Sequence, residues 1–171
     1  PKKNLITLII GGKNNHYKFS KKNISDIILS VRKLKKRYPN FNFLIVGSRR
    51  TGINANKILQ SELKNIAYVW NGLDKNPYSF ALKHSKFFIV TSDSTSMISE
   101  CAFTGKPIFV FHLPYKRQSI RIENFHKQFE NLKITKNVEL INNLQSWSYN
   151  SLNESKRIAS IVGERIIKEK Y

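Results

Sequence analysis

The chain has a single cysteine, Cys101, among 171 residues. A disulfide framework and a cysteine-built zinc site are both excluded within it, and a reducing, intracellular compartment fits that usage best. Long hydrophobic runs are also missing. The longest near the start, residues 5–10, falls far short of the ~20 residues a membrane span requires, and no signal-peptide cleavage pattern follows it. The chain is therefore expected to be soluble and cytoplasmic. Acidic side chains are few, 11 Asp and Glu against 30 Lys and Arg, which leaves a formal charge of +19. At 40% hydrophobic and 12% aromatic there is too much apolar material for a disordered tail. The length suits one domain that buries roughly 70% of its unfolded surface.

The positive surplus comes from 22 lysines and 8 arginines, and the lysines occur in nearly every segment. Nucleic-acid binders concentrate cations on one face and interleave aromatics, because phosphate neutralisation and base stacking act together. Spread out among 21 isoleucines and 18 asparagines, the lysines read instead as a biased but ordinary solvated surface. Nucleic acid is accordingly an unfavoured partner.

Five short apolar runs, at residues 5–10, 43–47, 66–70, 87–91 and 108–111, alternate with longer amphipathic stretches. This alternation predicts parallel βαβ units, and runs apolar almost throughout predict strands covered on both faces. The expected fold is a three-layer α/β, Rossmann-like domain with a parallel sheet of five or six strands. Ile24, Ile27, Ile28, Val31 and Leu34 recur at helical spacing between a capping Ser20 and the breaker Pro39. Ala55, Ile58, Leu59 and Leu63 mark a second helix over 53–64, and residues 78–84 a short third. A fourth over 95–103 turns Met97, Ile98, Cys101 and Ala102 to the sheet and stops at Gly105 before Pro107. Residues 119–132 read as a weakly patterned helix, 131–150 as an Asn-rich stretch without clear periodicity, and a terminal helix is expected from about residue 152.

In an open parallel sheet the ligand crevice lies at the carboxyl ends of the strands, where helix N-termini collect unpaired N–H groups. The first such loop begins Gly11-Gly12, which permits close backbone approach to a ligand or a tight structural turn. It matches neither the dinucleotide fingerprint nor a P-loop. The second carries Ser48-Arg49-Arg50-Thr51, an arginine pair in a lysine-rich chain, suited to bidentate phosphate binding or to ion pairing. The fourth runs Thr91-Ser92-Asp93-Ser94-Thr95-Ser96 into a helix bearing Glu100. Hydroxyls at a helix start favour a phosphate, and a carboxylate one turn on suits a ribose diol; capping by Asp93 or Ser94 explains only part of that run. His16, His112 and His126 are the candidate acid–base groups, and Asp93 a candidate general base. No two histidines have metal-ligand spacing on one helix, so no metal or other cofactor is expected.

Taken together, Gly11-Gly12 with Tyr17 and Phe19, Ser48-Arg49-Arg50-Thr51, Asn76-Pro77-Tyr78, Ser92 to Glu100 and Thr104-Gly105-Lys106-Pro107 resemble the mitochondrial fission ELM family. The resemblance runs from about residue 5 to 126. It departs at Gly52, where the family tends to place proline, and at Cys101, where it tends to place alanine. That family is similar in turn to the carboxyl-terminal half of GT-B glycosyltransferases, which hold a nucleotide-diphosphate sugar. The resemblance implies that Ser94, Thr95 and Ser96 take the diphosphate, that Glu100 takes the ribose, and that Arg49 and Arg50 add cations. It implies a UDP-linked sugar as substrate, and a longer protein whose amino-terminal acceptor domain is missing from this chain. The competing expectation is a non-catalytic adaptor peripheral to the inner membrane, with the basic stretch from Ser20 to Arg37 on anionic lipid.

Overall fold

The computed structural model describes residues 4–140 and 144–151. The first half runs β1 (Leu5–Ile10), α1 (Lys21–Arg37), β2 (Asn42–Gly47), α2 (Ile53–Leu63) and β3 (Tyr68–Val69). The second runs α3 (Tyr78–His84), β4 (Phe87–Thr91), α4 (Thr95–Ala102), β5 (Ile108–Phe111), α5 (Ile120–Asn131) and β6 (Thr135–Asn137). All six strands are parallel, in the order β3-β2-β1-β4-β5-β6. The order reverses between β1 and β4, and a ligand crevice forms at such a switch point.

The strands are apolar throughout because each side of the sheet meets its own layer. Ile6, Leu8, Ile10 and Ile45 pack with the stripe of α1 and with Leu59 and Leu63 of α2. Ile9, Phe88, Val90 and Val110 pack instead with Ile98, Cys101 and Ala102 of α4 and Phe129 of α5. Burying one such aliphatic or aromatic side chain contributes roughly 1.5–3 kcal/mol, so these two faces dominate the folding free energy.

Helix α1 starts where the sequence says it should. Ser20 and Asn23 form a reciprocal capping box, with the Ser20 N–H donating to Asn23 Oδ1 at 2.9 Å. At the other end Lys35 Nζ donates to the carbonyls of Pro39 and Phe41 at 2.9 and 2.8 Å. Two differences from expectation have simple causes. The third strand is reduced to Tyr68–Val69, because the amides of Ile66 and Ala67 are drawn back to the Leu63 carbonyl at the end of α2. The sixth strand, Thr-Lys-Asn, is polar because it forms the sheet edge, and only Thr135 of its three residues is buried. The expected terminal helix from residue 152 lies outside the described residues. Among the described residues no helix is long and apolar enough to cross a membrane.

Candidate functional site

The strand-end loops at the switch point divide into a sealed knot and an open crevice. Asp93 is the centre of the knot. Its side chain has no exposure, and it accepts from the Gly12 amide at 2.9 Å, the Thr91 hydroxyl at 2.6 Å and Arg50 at 2.9 Å. Burial pushes the carboxyl above the usual carboxylate range, opposed by the Thr91 hydroxyl, the Arg50 charge and the Gly12 amide. The glycines are explained by contact: a Cβ on Gly11 would overlap the Asp93 carboxylate, and one on Gly12, at φ +129°, would strike the Arg50 backbone. Thr91 also accepts the Gly11 amide at 2.8 Å, while Ser48 and Thr51 both donate to the Gly11 carbonyl. Three loops from β1, β2 and β4 are thereby tied at one carboxylate.

Beyond the knot, the β1 loop lies across the carboxyl ends of β4 and β5. Asn14 folds it, its Oδ1 accepting the His16 and Tyr17 amides at 2.8 Å and its Nδ2 donating to the Asp93 carbonyl at 3.1 Å. Tyr17 stacks on Tyr115 with ring centroids 4.7 Å apart, and Lys18 N–H reaches the Pro114 carbonyl at 2.8 Å. Beneath them His126 is buried with Nε2 at 3.0 Å from the Ser92 carbonyl oxygen; a carbonyl only accepts, so Nε2 carries the proton. Burial, helped by His112 and opposed by the Ser92 carbonyl, pulls its pKa down to about 4.

The crevice opens on the other side of the knot, with a volume of about 280 Å³. Ile9, Val46 and Gly47 form its floor, where the strands end. Ser48 and Arg49 wall one side, Met97 and Glu100 of α4 another, and Asn76 and Tyr78 at the entry of α3 a third. Arg49 and Glu100 are exposed, and Ser96 is exposed on the first turn of α4, with Thr95 half-buried beside it. Ser94 is buried at the N-cap position and makes no side-chain capping bond. The Tyr78 hydroxyl is buried in the wall beside Glu100, and burial first, then that carboxylate, hold its proton on. Such a crevice, apolar at its floor with a few polar groups on the rim, has the build of a small-molecule site.

The candidates of the sequence thus fall in three places. Ser48, Arg49 and Glu100 meet in the crevice, with Thr95 and Ser96 on the helix turn that leads to it. Gly11, Gly12, Arg50 and Asp93 are held in the knot. His16 and His112 lie apart from both: the His16 carbonyl accepts the amides of Lys116 and Arg117, and His112 lines a separate groove beside α1, 3.8 Å from Glu130. Besides the floor residues Ile9, Val46 and Gly47, three wall residues, Asn76, Tyr78 and Met97, are not marked as site residues by the sequence. The available signal was position, since Asn76-Pro77-Tyr78 follows a strand just as the other loops do.

Six parallel strands, a switch point and a strand-end crevice define a Rossmann-like α/β fold. Solved structures agree. S. aureus MnaA in complex with UDP matches with TM-score 0.58 at 17% identity, over 81% of this chain and 35% of that one. UDP-GlcNAc 2-epimerase of Neisseria meningitidis bound to UDP-GlcNAc matches with TM-score 0.51 at 21% identity, over 78% and 31%. The family model for mitochondrial fission ELM1 matches residues 1–166, and the chain belongs to that family. Among curated proteins it is 34% identical to the uncharacterized protein RP120 of Rickettsia prowazekii over 94% of its length, and 31% identical to the mitochondrial fission protein ELM1 of Arabidopsis thaliana over 66%. It spans 46% and 27% of those two relatives' own lengths.

Proposed function

We propose that the crevice binds a nucleotide-diphosphate sugar, UDP-linked, and that the chain is the nucleotide-holding part of a glycosyltransferase-related protein. The observation that carries this reading is the convergence of Arg49, the first turn of α4 and Glu100 on one strand-end crevice. The N–H groups and dipole of α4, with Thr95 and Ser96, favour a diphosphate, and Arg49 adds a bidentate cation. Glu100, one turn further, takes the ribose diol. Two of the structures similar to this chain hold UDP and UDP-GlcNAc, which supports the same ligand class here.

Chemically, such a site stabilises a departing diphosphate by fixed positive charge and oriented amides, groups already in place before the bond breaks. Asp93 acts in this reading as a positioning residue, because three donors occupy its carboxylate. A general base is then supplied from a partner domain over the crevice, which would hold the acceptor.

Calorimetric titration at low salt checks the reading. Saturable binding of UDP is expected, weakened roughly 10- to 100-fold in Glu100→Ala, as for loss of hydrogen bonds to a charged group. Absence of saturable binding to any nucleoside diphosphate overturns it. The adaptor reading has less behind it. Two cations of the α1 region are engaged within the chain, Arg32 with Glu62 at 2.7 Å and Lys35 with two carbonyls. Vesicle co-sedimentation that ignores nucleotide and vanishes with salt would favour it.

A further inference from the structure

The groove beside α1 that His112 lines has a volume of about 910 Å³, larger than the crevice. Two phenylalanines on one face of β5 meet different neighbours there. Phe109 is covered by the Trp147 ring, edge-on with centroids 5.2 Å apart, whereas Phe111, two residues further on, is only partly buried and lines the groove. Leu34 and Val138, both buried, complete an apolar floor, and the exposed Leu29 forms its lip. The charges are sorted along its length. Asp26 stands toward the start of α1, and Lys33, Lys36 and Arg37 share a face toward its end. The ion pairs among the described residues use other cations, and none of these three makes a side-chain hydrogen bond there. From Asp26 to Arg37 the helix rises about 16 Å.

An apolar floor with an unpaired cationic end fits a molecule with an anionic head and a slender apolar tail. A flat bilayer does not reach Leu34 or Val138, which are 4% and 8% exposed, but a single alkyl chain does. We propose that this groove binds a single-chain anionic amphiphile, a fatty acid of roughly a dozen carbons, the length that spans it when extended. Its carboxylate lies on Lys33, Lys36 and Arg37 in charge-assisted hydrogen bonds, and its tail along Leu34, Phe111 and Leu29. Asp26 at the far end repels the carboxylate and so fixes the orientation. Each methylene buried on the floor contributes roughly fourfold in affinity. The site is separate from the crevice and stands without the nucleotide reading.

Calorimetric titration of the full chain with octanoate, decanoate, dodecanoate and hexadecanoate, each below its micelle concentration, tests this. Binding should saturate at one site, tighten roughly tenfold for each two carbons up to dodecanoate, and level off by hexadecanoate as the groove runs out. Dodecylammonium, the same tail with the opposite charge, should not bind. The double variant Lys33→Glu with Arg37→Glu should weaken dodecanoate roughly tenfold or more, and so should Leu29→Glu at the lip, with melting temperatures unchanged because all three side chains are exposed. Unsaturable uptake, equal binding of dodecylammonium, or wild-type affinity in the double variant overturns the proposal. A dimer of the wild type that Leu29→Glu splits overturns it too, since the groove is then a protein interface. Should the variants fail to fold, dodecanoate against dodecylammonium on the wild type decides.

Discussion

The two halves of the strand-end rim are built from the same kinds of residue and are put to opposite uses. In the knot, Asp93, Arg50, Thr91 and the Gly12 amide satisfy one another, and Asp93 is closed to water. In the crevice, Arg49 and Glu100 face solvent. Adjacent arginines thus part company: Arg50 turns inward to a buried acid, and Arg49 outward to the crevice. A polar group already paired inside the chain contributes stability. One left unpaired on a concave wall is available to a ligand.

The contrast can be broken most forcefully at its centre. Asp93→Ala should cost about 2–5 kcal/mol in urea unfolding, because it leaves the buried Thr91 hydroxyl and Gly12 amide without their acceptor while Arg50 turns to solvent. A loss below about 1 kcal/mol would mean that the knot is ornamental.

Next in size is the pH response of the loop layer over His126. Its folded pKa of about 4 lies below the ordinary value of 6.5, so the unfolded chain binds the proton more readily. Its contribution is complete above pH 6.5 and is lost as pH falls toward 4, by up to about 3 kcal/mol. His112, whose pKa burial also lowers, titrates in the same direction with its ring 5.4 Å away. Stability measured in steps from pH 7 to 4 should fall less steeply in His126→Gln than in the wild type.

The crevice side should respond in affinity alone. Glu100→Ala is exposed and should shift stability by less than about 0.5 kcal/mol while it weakens UDP. Arg49→Ala should weaken UDP roughly fivefold and flatten its salt dependence, whereas Arg50→Ala should instead lower the melting temperature. If Arg49 and Arg50 gave the same pattern, the division of the rim would fail.

Much of the fold was legible beforehand. The α1 stripe from Ile24 to Leu34, the cap at Ser20 and the stop before Pro39 are local signals, and they appear where the sequence places them. The edge strands were harder to see. Among the described residues Thr135–Asn137 pairs only with β5 and buries one residue of three, so its sequence carries no apolar run. The site was legible by position, as strand-end loops, but not by role. Nothing in Ser48-Arg49-Arg50-Thr51 distinguishes the two guanidinium groups, because the acid that claims one of them lies 43 residues further on.

Sequence alone determined the βαβ alternation, the parallel sheet and the set of strand-end loops, since these follow from hydrophobic period and chain-local caps. Only the tertiary structure decided which polar groups are consumed internally and which are left facing solvent in the crevice. Burial and pairing depend on residues brought together from distant loops, as Gly12, Arg50 and Asp93 are at the switch point.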